Sequence, residues 1–413
     1  MEMGKVLFVS RPHLICLART HLGLYTSRIK KSLLRMDHRM SLINLFYYNI
    51  IPFILVLSLL VFVHELGHYL VARWNGVKVE VFSIGFGAEL FGWTDRVGMR
   101  WKISIIPMGG YVKMFSDLNP ASQPDQTLIQ GMSEKDKEVS LFHKTVWQRI
   151  AVSAAGPLAN YLFAIFLFGT LYIFMGQKIP SEEAKIGHVM PKSAAEQVGL
   201  QEGDLILDIN GITTGTFAEL QKIIQENPGH EIVLHVQREE QKLMIHATPQ
   251  TAKVKDHEIG RLGITPSYHE VKRSPLTAYF YAVEDVYTFS AKTLAHLGQM
   301  IVGNQSTDGL SGPLGIANLT GEVARKSLID LIWLTALLSI NLGLINLFPV
   351  PMLDGGHLLF YFIEAIRGKA VSEKVQEAGY RIGFSLVMLL VVISTWNDLS
   401  HLKVFEFFKN IFN

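Results

Sequence analysis

The run from Ser41 to Val63, SLINLFYYNIIPFILVLSLLVFV, has no charged residue, and it leads directly into His64-Glu65-Leu66-Gly67-His68. About 20 mostly apolar residues cross a bilayer as a helix. The stretch therefore reads as a membrane span with ionisable groups at its end. On a helix, positions i and i+4 share a face, so His64 and His68 can hold one metal ion. Glu65 projects beside them and can take a proton from water. Each such group near the bilayer core costs about 2.5–3.5 kcal/mol unless it finds a partner. A metal is one partner; pairing of the histidines with other side chains is the plainer alternative.

The rest of the chain agrees with a membrane setting. Mean hydropathy is +0.25 and only 18% of residues are charged, which favours a membrane protein. The net charge of +2 argues against a nucleic-acid partner. Cys16 is the single cysteine, so no intrachain disulfide forms and a metal site must use His, Asp or Glu. Further apolar stretches run from Ile150 to Gly176, from about Leu331 to Leu353 and from about Ile382 to Asn397, the last being the shortest.

Basic residues set the expected orientation. Arg73, Lys78, Arg96, Arg100, Lys102, Lys113, Lys144 and Arg149 lie between spans one and two, and Arg367, Lys369, Lys374 and Arg381 between spans three and four. Those loops are expected in the cytoplasm, with both chain ends outside. Residues 1–39 are basic as well, and crossing the membrane would set them against the rule. They read as a presequence or as an extension upstream of a true start at Met40.

Between spans two and three, a compact domain is expected over residues 183–268. Val189 to Gly211 reads as strand, short helix, turn and strand, and Glu231 to Gln237 alternates as a half-buried strand does. A helical and linker region follows over 269–328. There Leu276, Phe280, Val283, Tyr287, Leu294, Leu297 and Ile301 recur at helical spacing. That stripe suits either a buried helix face or a helix lying on a membrane surface. The remaining units are a membrane core in two parts, 40–176 and 329–413. The first part carries a cytoplasmic β-hairpin, expected from the β-prone runs flanking Pro107-Met-Gly-Gly110.

Catalytic zinc usually takes three protein ligands and a water. The best third ligand lies in Asn346-Leu-Phe-Pro-Val-Pro-Met-Leu-Asp-Gly-Gly-His357. Asp354 is a carboxylate at the end of span three, Pro349 and Pro351 break the helix, and Gly355 and Gly356 allow close backbone approach. Irregular backbone at membrane depth persists only where protein or a water-filled cavity covers it. By itself, Pro-x-x-Asp-Gly-Gly could be a plain turn.

The pairing of His64–His68 with Asn346–Gly356 across four spans resembles the site-2 protease family of intramembrane zinc metalloproteases. It looks most like the bacterial regulator of sigma-E protease branch, in which a PDZ domain stands between spans two and three. The resemblance covers most of residues 40–400. Phe82-Ser-Ile-Gly-Phe-Gly87, Pro107-Met-Gly-Gly-Tyr-Val-Lys113, Gly156-Pro-Leu-Ala-Asn160 and Ser311-Gly-Pro-Leu-Gly-Ile-Ala317 also match it. The implied fold is a polytopic α-helical membrane protein of four spans with an inserted α+β PDZ domain of the circularly permuted type. The resemblance implies zinc on His64, His68 and Asp354, Glu65 as the base, and Asn346 steadying substrate or oxyanion. Within the domain, Leu262, Gly263 and Ile264 resemble a PDZ peptide loop. Better-known members carry two tandem PDZ domains; this chain has room for one, which puts in doubt how strictly substrates are screened by size.

Gly156, Pro157 and Asn160 open span two, where small residues serve either close helix packing or substrate contact. Pro107, Gly109 and Gly110 suggest a β-edge, Trp101 to Ile106, that adds the substrate as a strand and holds it extended; a hairpin that only stabilises the loop is the alternative. Expected substrates are single-span membrane proteins in the lipid bilayer of a bacterial inner membrane, such as anti-sigma factors or remnant signal peptides. The expected PDZ position is periplasmic. A non-catalytic PDZ scaffold would have no use for His64, Glu65, His68 and Asp354. A metal transporter would spread ionisable groups along several spans.

Overall fold

The computed structural model describes residues 46–117, 131–254, 257–303 and 311–401. The basic segment 1–39 and the start of the first apolar run lie outside the described residues.

Among the described residues, four helices are long and apolar enough to cross a membrane: Tyr47–Trp74, Val146–Phe174, Leu328–Asn346 and Glu373–Ser400. After a short π-helical turn, α1 (Ile51–Trp74) continues well past Val63, so the His-Glu-x-x-His stretch sits inside it and not beyond its end. A capping box between Thr145 and Gln148 starts α2 (Val146–Phe174). This helix is the hub: α1, α3 (Pro275–Ile301), α5 (Leu328–Asn346) and α6 (Asp354–Arg367) all pack on it. Ala164 and Phe168 are fully buried against Ala278, Ala282, Ala336 and Ile340. Helix α5 stops at Asn346, seven residues before the apolar run itself ends at Leu353. The last helix, α7 (Glu373–His401), is longer than its apolar run because Glu373, Lys374, Glu377 and Arg381 extend it.

Two long strands, β1 (Val79–Thr94) and β2 (Arg100–Met114), form the hairpin between spans one and two. Its turn lies at Asp95, whose side chain accepts from the amides of Val97 and Met99 and from Trp101 Nε1. A second reversal falls within β2, between residues 100–104 and 110–114, and Pro107–Gly110 lie there. Both strands fold back on themselves. Residues 79–84 pair with 110–114 on one side (Val79↔Met114, Phe82↔Val112) and with 100–103 on the other (Phe82↔Trp101). Residues 91–94 then pair with 100–103 (Trp93↔Trp101). The resulting order of limbs is 110–114, 79–84, 100–104, 89–94. The expected edge, Trp101 to Ile106, is thus mostly an inner limb. The limb with one strand neighbour nearest α1 is 110–114. Phe82, Met99 and Val112 bury themselves with Ala72 and Val77, which clamps the sheet to the end of α1.

The domain between spans two and three has a four-stranded antiparallel sheet in the order β6 (Ile212–Thr213), β5 (Leu205–Ile209), β7 (Ile232–Arg238), β8 (Gln241–Ala247). A capped helix, Phe217–Gln225, lays Leu220 and Ile224 on a core of Ile206, Ile209, Ile232 and Leu234. The domain closes head to tail: β11 (Ile264–Pro266) pairs with β4 (Ile186–Val189). Its two connections to the membrane helices also pair, β3 (Gln177–Pro180) with β12 (Tyr268–Val271), and make a two-stranded stalk.

Helix α3 rests on α2 through Ala278, Ala282 and Val286. The apolar stripe faces the other way, with Leu276 84% and Ile301 87% exposed. The reading of that stripe as a buried face is therefore overturned. Helix α4 (Pro313–Lys326) is held at both ends. Asn49 near span one donates to Asn318 and accepts from Arg325. At the other end the amides of Gly312 and Gly315, both within the Ser311–Ala317 motif, each donate to Asp398 at 2.9 Å. Asp398 is buried, on a last helix that is otherwise largely exposed.

Candidate metal centre

Helical spacing brings His64 and His68 to one face of α1, with their Nε2 atoms 3.3 Å apart. Asp354 Oδ2 lies 3.1 Å from His64 Nε2, and Oδ1 lies 3.3 Å from His68 Nε2. All three offered atoms fall within 4.8 Å of one another. A tetrahedral zinc with bonds of about 2.0–2.1 Å would set its ligands about 3.3 Å apart, so the spacing fits. The donor chemistry fits too: two imidazole nitrogens and one carboxylate, with the far side of each ring hydrogen-bonded. His68 Nδ1 lies 2.8 Å from the Val152 carbonyl, and His64 Nδ1 lies 3.1 Å from the Asn160 amide.

Asp354 arrives by a different route. The helix is broken over residues 347–353, with Met352 at φ 104°, a conformation that a side chain rarely adopts. Asp354 then opens α6, where the helix N-terminus favours a negative charge. The turn is tight because residue 355 is glycine: a Cβ there would lie 2.5 Å from the Leu347 carbonyl carbon. Helix α6 is anchored to α2 by Arg149, which donates to both Glu364 oxygens at 3.0 and 2.5 Å.

From the other side, α2 presses on the histidines. A Cβ at residue 156 would run into His68 Nε2 and lie 2.8 Å from His64 Cε1, so only glycine lets α2 approach this closely. Pro157, one residue on, has no N–H to give the Ser153 carbonyl. The helix is loosened in the turn whose Val152 carbonyl receives His68.

A cavity of about 400 Å³ opens onto the three ligand atoms. His64, Glu65, His68, Asn346, Gly109, Gly110 and Asp354 all line it. A Cβ on Gly110 would lie 2.6 Å from Val61 Cγ1 and 3.2 Å from Glu65 Cγ. The 110–114 limb thus lies directly on the helix that carries the ligands. Asn160 and Gly156 reach the site through the imidazole rings. Pro107 does not line the cavity, and Pro157 packs toward α5, where its carbonyl lies 3.0 Å from a Cβ built on Gly343. Leu262, Gly263 and Ile264 belong to the inserted domain: Leu262 is in its core, Gly263 has φ 83°, and Ile264 pairs with Val189. Cavity residues that sequence reasoning left unassigned include Phe86, Ser153, Met352 and His357. Phe86 lay within the quoted Phe82–Gly87 motif, and His357 stands one helical turn after Asp354, so both left a signal. Met352 lay within the quoted Asn346–His357 stretch, and Ser153 left no signal.

Comparison with known proteins gives the same picture. The family model described as peptidase family M50 matches residues 52–390. A protein of Agrobacterium fabrum is 40% identical over 363 residues, which is 86% of this chain and 96% of that one. The zinc metalloprotease RasP of Bacillus licheniformis is 33% identical over 421 residues, 86% of this chain and 99% of its own. The crystal structure of the PDZ domain of an SdrC-like protein from Listeria monocytogenes is 19% identical, covering 22% of this chain and 93% of that one with a TM-score of 0.18.

Proposed function

This chain belongs to peptidase family M50, a membrane zinc metalloprotease, and on that premise we propose that it hydrolyses peptide bonds within single-span membrane proteins. The observation that carries the reading is the convergence of His64, His68 and Asp354 at 3.1–3.3 Å on a cavity reached from apolar helices. His64, His68 and Asp354 would hold the zinc. Bound there, zinc supplies Lewis acidity toward water and toward a peptide carbonyl. Glu65 takes the proton of the attacking water on its carboxylate and returns it to the leaving amine. Asn346, on the cavity wall, donates to the carbonyl oxygen of the bound substrate as charge develops there.

A helical substrate has its scissile bond hydrogen-bonded internally, so it must be extended first. Strand addition serves that purpose. Residues 100–103 are flanked on both sides, and the pairing limb is therefore the one that begins at Gly109. Substrates of the reading are anti-sigma factors or remnant signal peptides of a bacterial inner membrane. The inserted domain, with Leu262–Ile264 as its peptide loop, stands on the outer side, and the loops around Trp101 and Lys369 face the cytoplasm.

The test uses the full chain in lipid vesicles with a single-span substrate. The parent is expected to hold about one zinc and cleave, while Glu65→Gln holds zinc and does not cleave. Equal cleavage by both would remove the reading; zinc-independent binding without cleavage by either would favour a scaffold.

A further inference from the structure

The two histidines are tied down unequally. His68 Nδ1 faces a main-chain carbonyl, Val152, whose position the helix fixes. His64 Nδ1 faces a side-chain amide, that of Asn160, on another helix. A neutral imidazole that binds a metal through Nε2 carries its proton on Nδ1, and that proton needs an acceptor. Only the oxygen of an amide can accept it. Asn160 is fully buried, its Nδ2 is the atom 3.1 Å from His64 Nδ1, and its Oδ1 has no hydrogen-bond partner. Which end of an amide faces a neighbour is decided by the bonds it can make. Turned over, Asn160 loses no bond at Oδ1 and gives the Nδ1 proton its acceptor.

We propose that Asn160 is a positioning residue for the metal centre, which sets the tautomer of His64 by accepting its Nδ1 proton and so keeps Nε2 free to ligate. The proposal rests on the reading of His64 as a ligand. It reassigns Asn160 from substrate contact to support of the metal. Span three takes part as well, since Ser339 Oγ donates to the Asn160 main-chain carbonyl at 2.8 Å and holds α2 at this point. Residues that orient ligating histidines typically change metal affinity by about 10–100-fold when removed.

The experiment measures zinc affinity of the purified full chain by chelator competition, with no substrate present. Asn160→Leu keeps the side-chain volume but has no acceptor, and is expected to weaken zinc by about 10–100-fold. Asn160→Asp keeps the acceptor and is expected to bind zinc at least as tightly as the parent. Simple packing predicts the reverse order, because a buried carboxylate disturbs a helix contact more than leucine does. Leu162→Ala, on the exposed side of α2, is the control and should match the parent. Leucine binding as tightly as asparagine, or leucine and aspartate weakened alike, would overturn the proposal. If the leucine variant does not accumulate, the aspartate variant decides alone: a tenfold loss counts against. His64→Ala separates the two readings: retention of full zinc affinity there sinks the ligand assignment itself, whereas its loss alongside a normal Asn160→Leu sinks only the role of Asn160.

Discussion

His64 and His68 reach the metal centre from an unbroken helix, one turn apart, whereas Asp354 reaches it from the far side of a broken one. The first arrangement depends on a period of 3.6 residues and on one neighbouring helix, whose Gly156, Val152 and Asn160 meet the rings. The second depends on several separate features: the end of α5 at Asn346, the unusual backbone of Met352, the glycine at 355 and the Arg149–Glu364 anchor. The helical half should therefore tolerate changes on the side of α1 that faces away from α2, and the turn half should tolerate few anywhere.

The largest effect tests whether the halves are equal as ligands despite unequal construction. His68→Ala and Asp354→Ala should each lose nearly all bound zinc and all cleavage, read by metal analysis and by product formation. Full zinc in Asp354→Ala would leave the comparison without its second term. Next comes Glu65→Gln, which should keep zinc but lower kcat by about 10²–10⁴-fold, measured with a single-span substrate in vesicles. The third change probes construction alone. Gly355→Ala touches no ligand, yet it forces the Leu347 carbonyl to move, and zinc affinity should fall at least several-fold. Leu70→Ala, on the exposed side of α1, should leave affinity unchanged; matched losses would erase the distinction. The smallest effect is expected from Met352→Gly. Relief of backbone strain, about 1–3 kcal/mol, offsets lost packing of Met352 against the cluster around Phe360 and Tyr380. Thermal stability should shift by no more than about 1 kcal/mol, and a large loss would show that Met352 is held by packing and not strained by the turn.

The same contrast explains what could be read from the chain. The spans and the His64/His68 pair follow from local periodicity, and so were legible. Asp354 was legible because a carboxylate at the end of an apolar run needs a cation. The reversal at Pro107–Gly110 was legible, but the runs it joins do not pair with each other, because residues 79–84 lie between them. The turn that joins β1 to β2 is a separate reversal, where the Asp95 carboxylate gathers the amides of Val97 and Met99. The stripe on α3 shows another limit: periodicity reveals that a helix has an apolar face, not whether protein or another medium covers it. Asn160 stands 96 residues from His64 in sequence, and no local pattern could have paired them.

Asp398 bears on how the molecule is assembled. Asp398 stands near the end of the last span, Glu373–Ser400, and a carboxylate buried there costs free energy unless it is hydrogen-bonded. The amides of Gly312 and Gly315 that receive the carboxylate precede it by more than eighty residues. Because a chain emerges from its N-terminus, the receptor is translated before the plug. The last span can then leave the insertion machinery by docking on α4 instead of partitioning into lipid unaided. Its biogenesis becomes a templated step, one in which completion of the earlier helices licenses the final one.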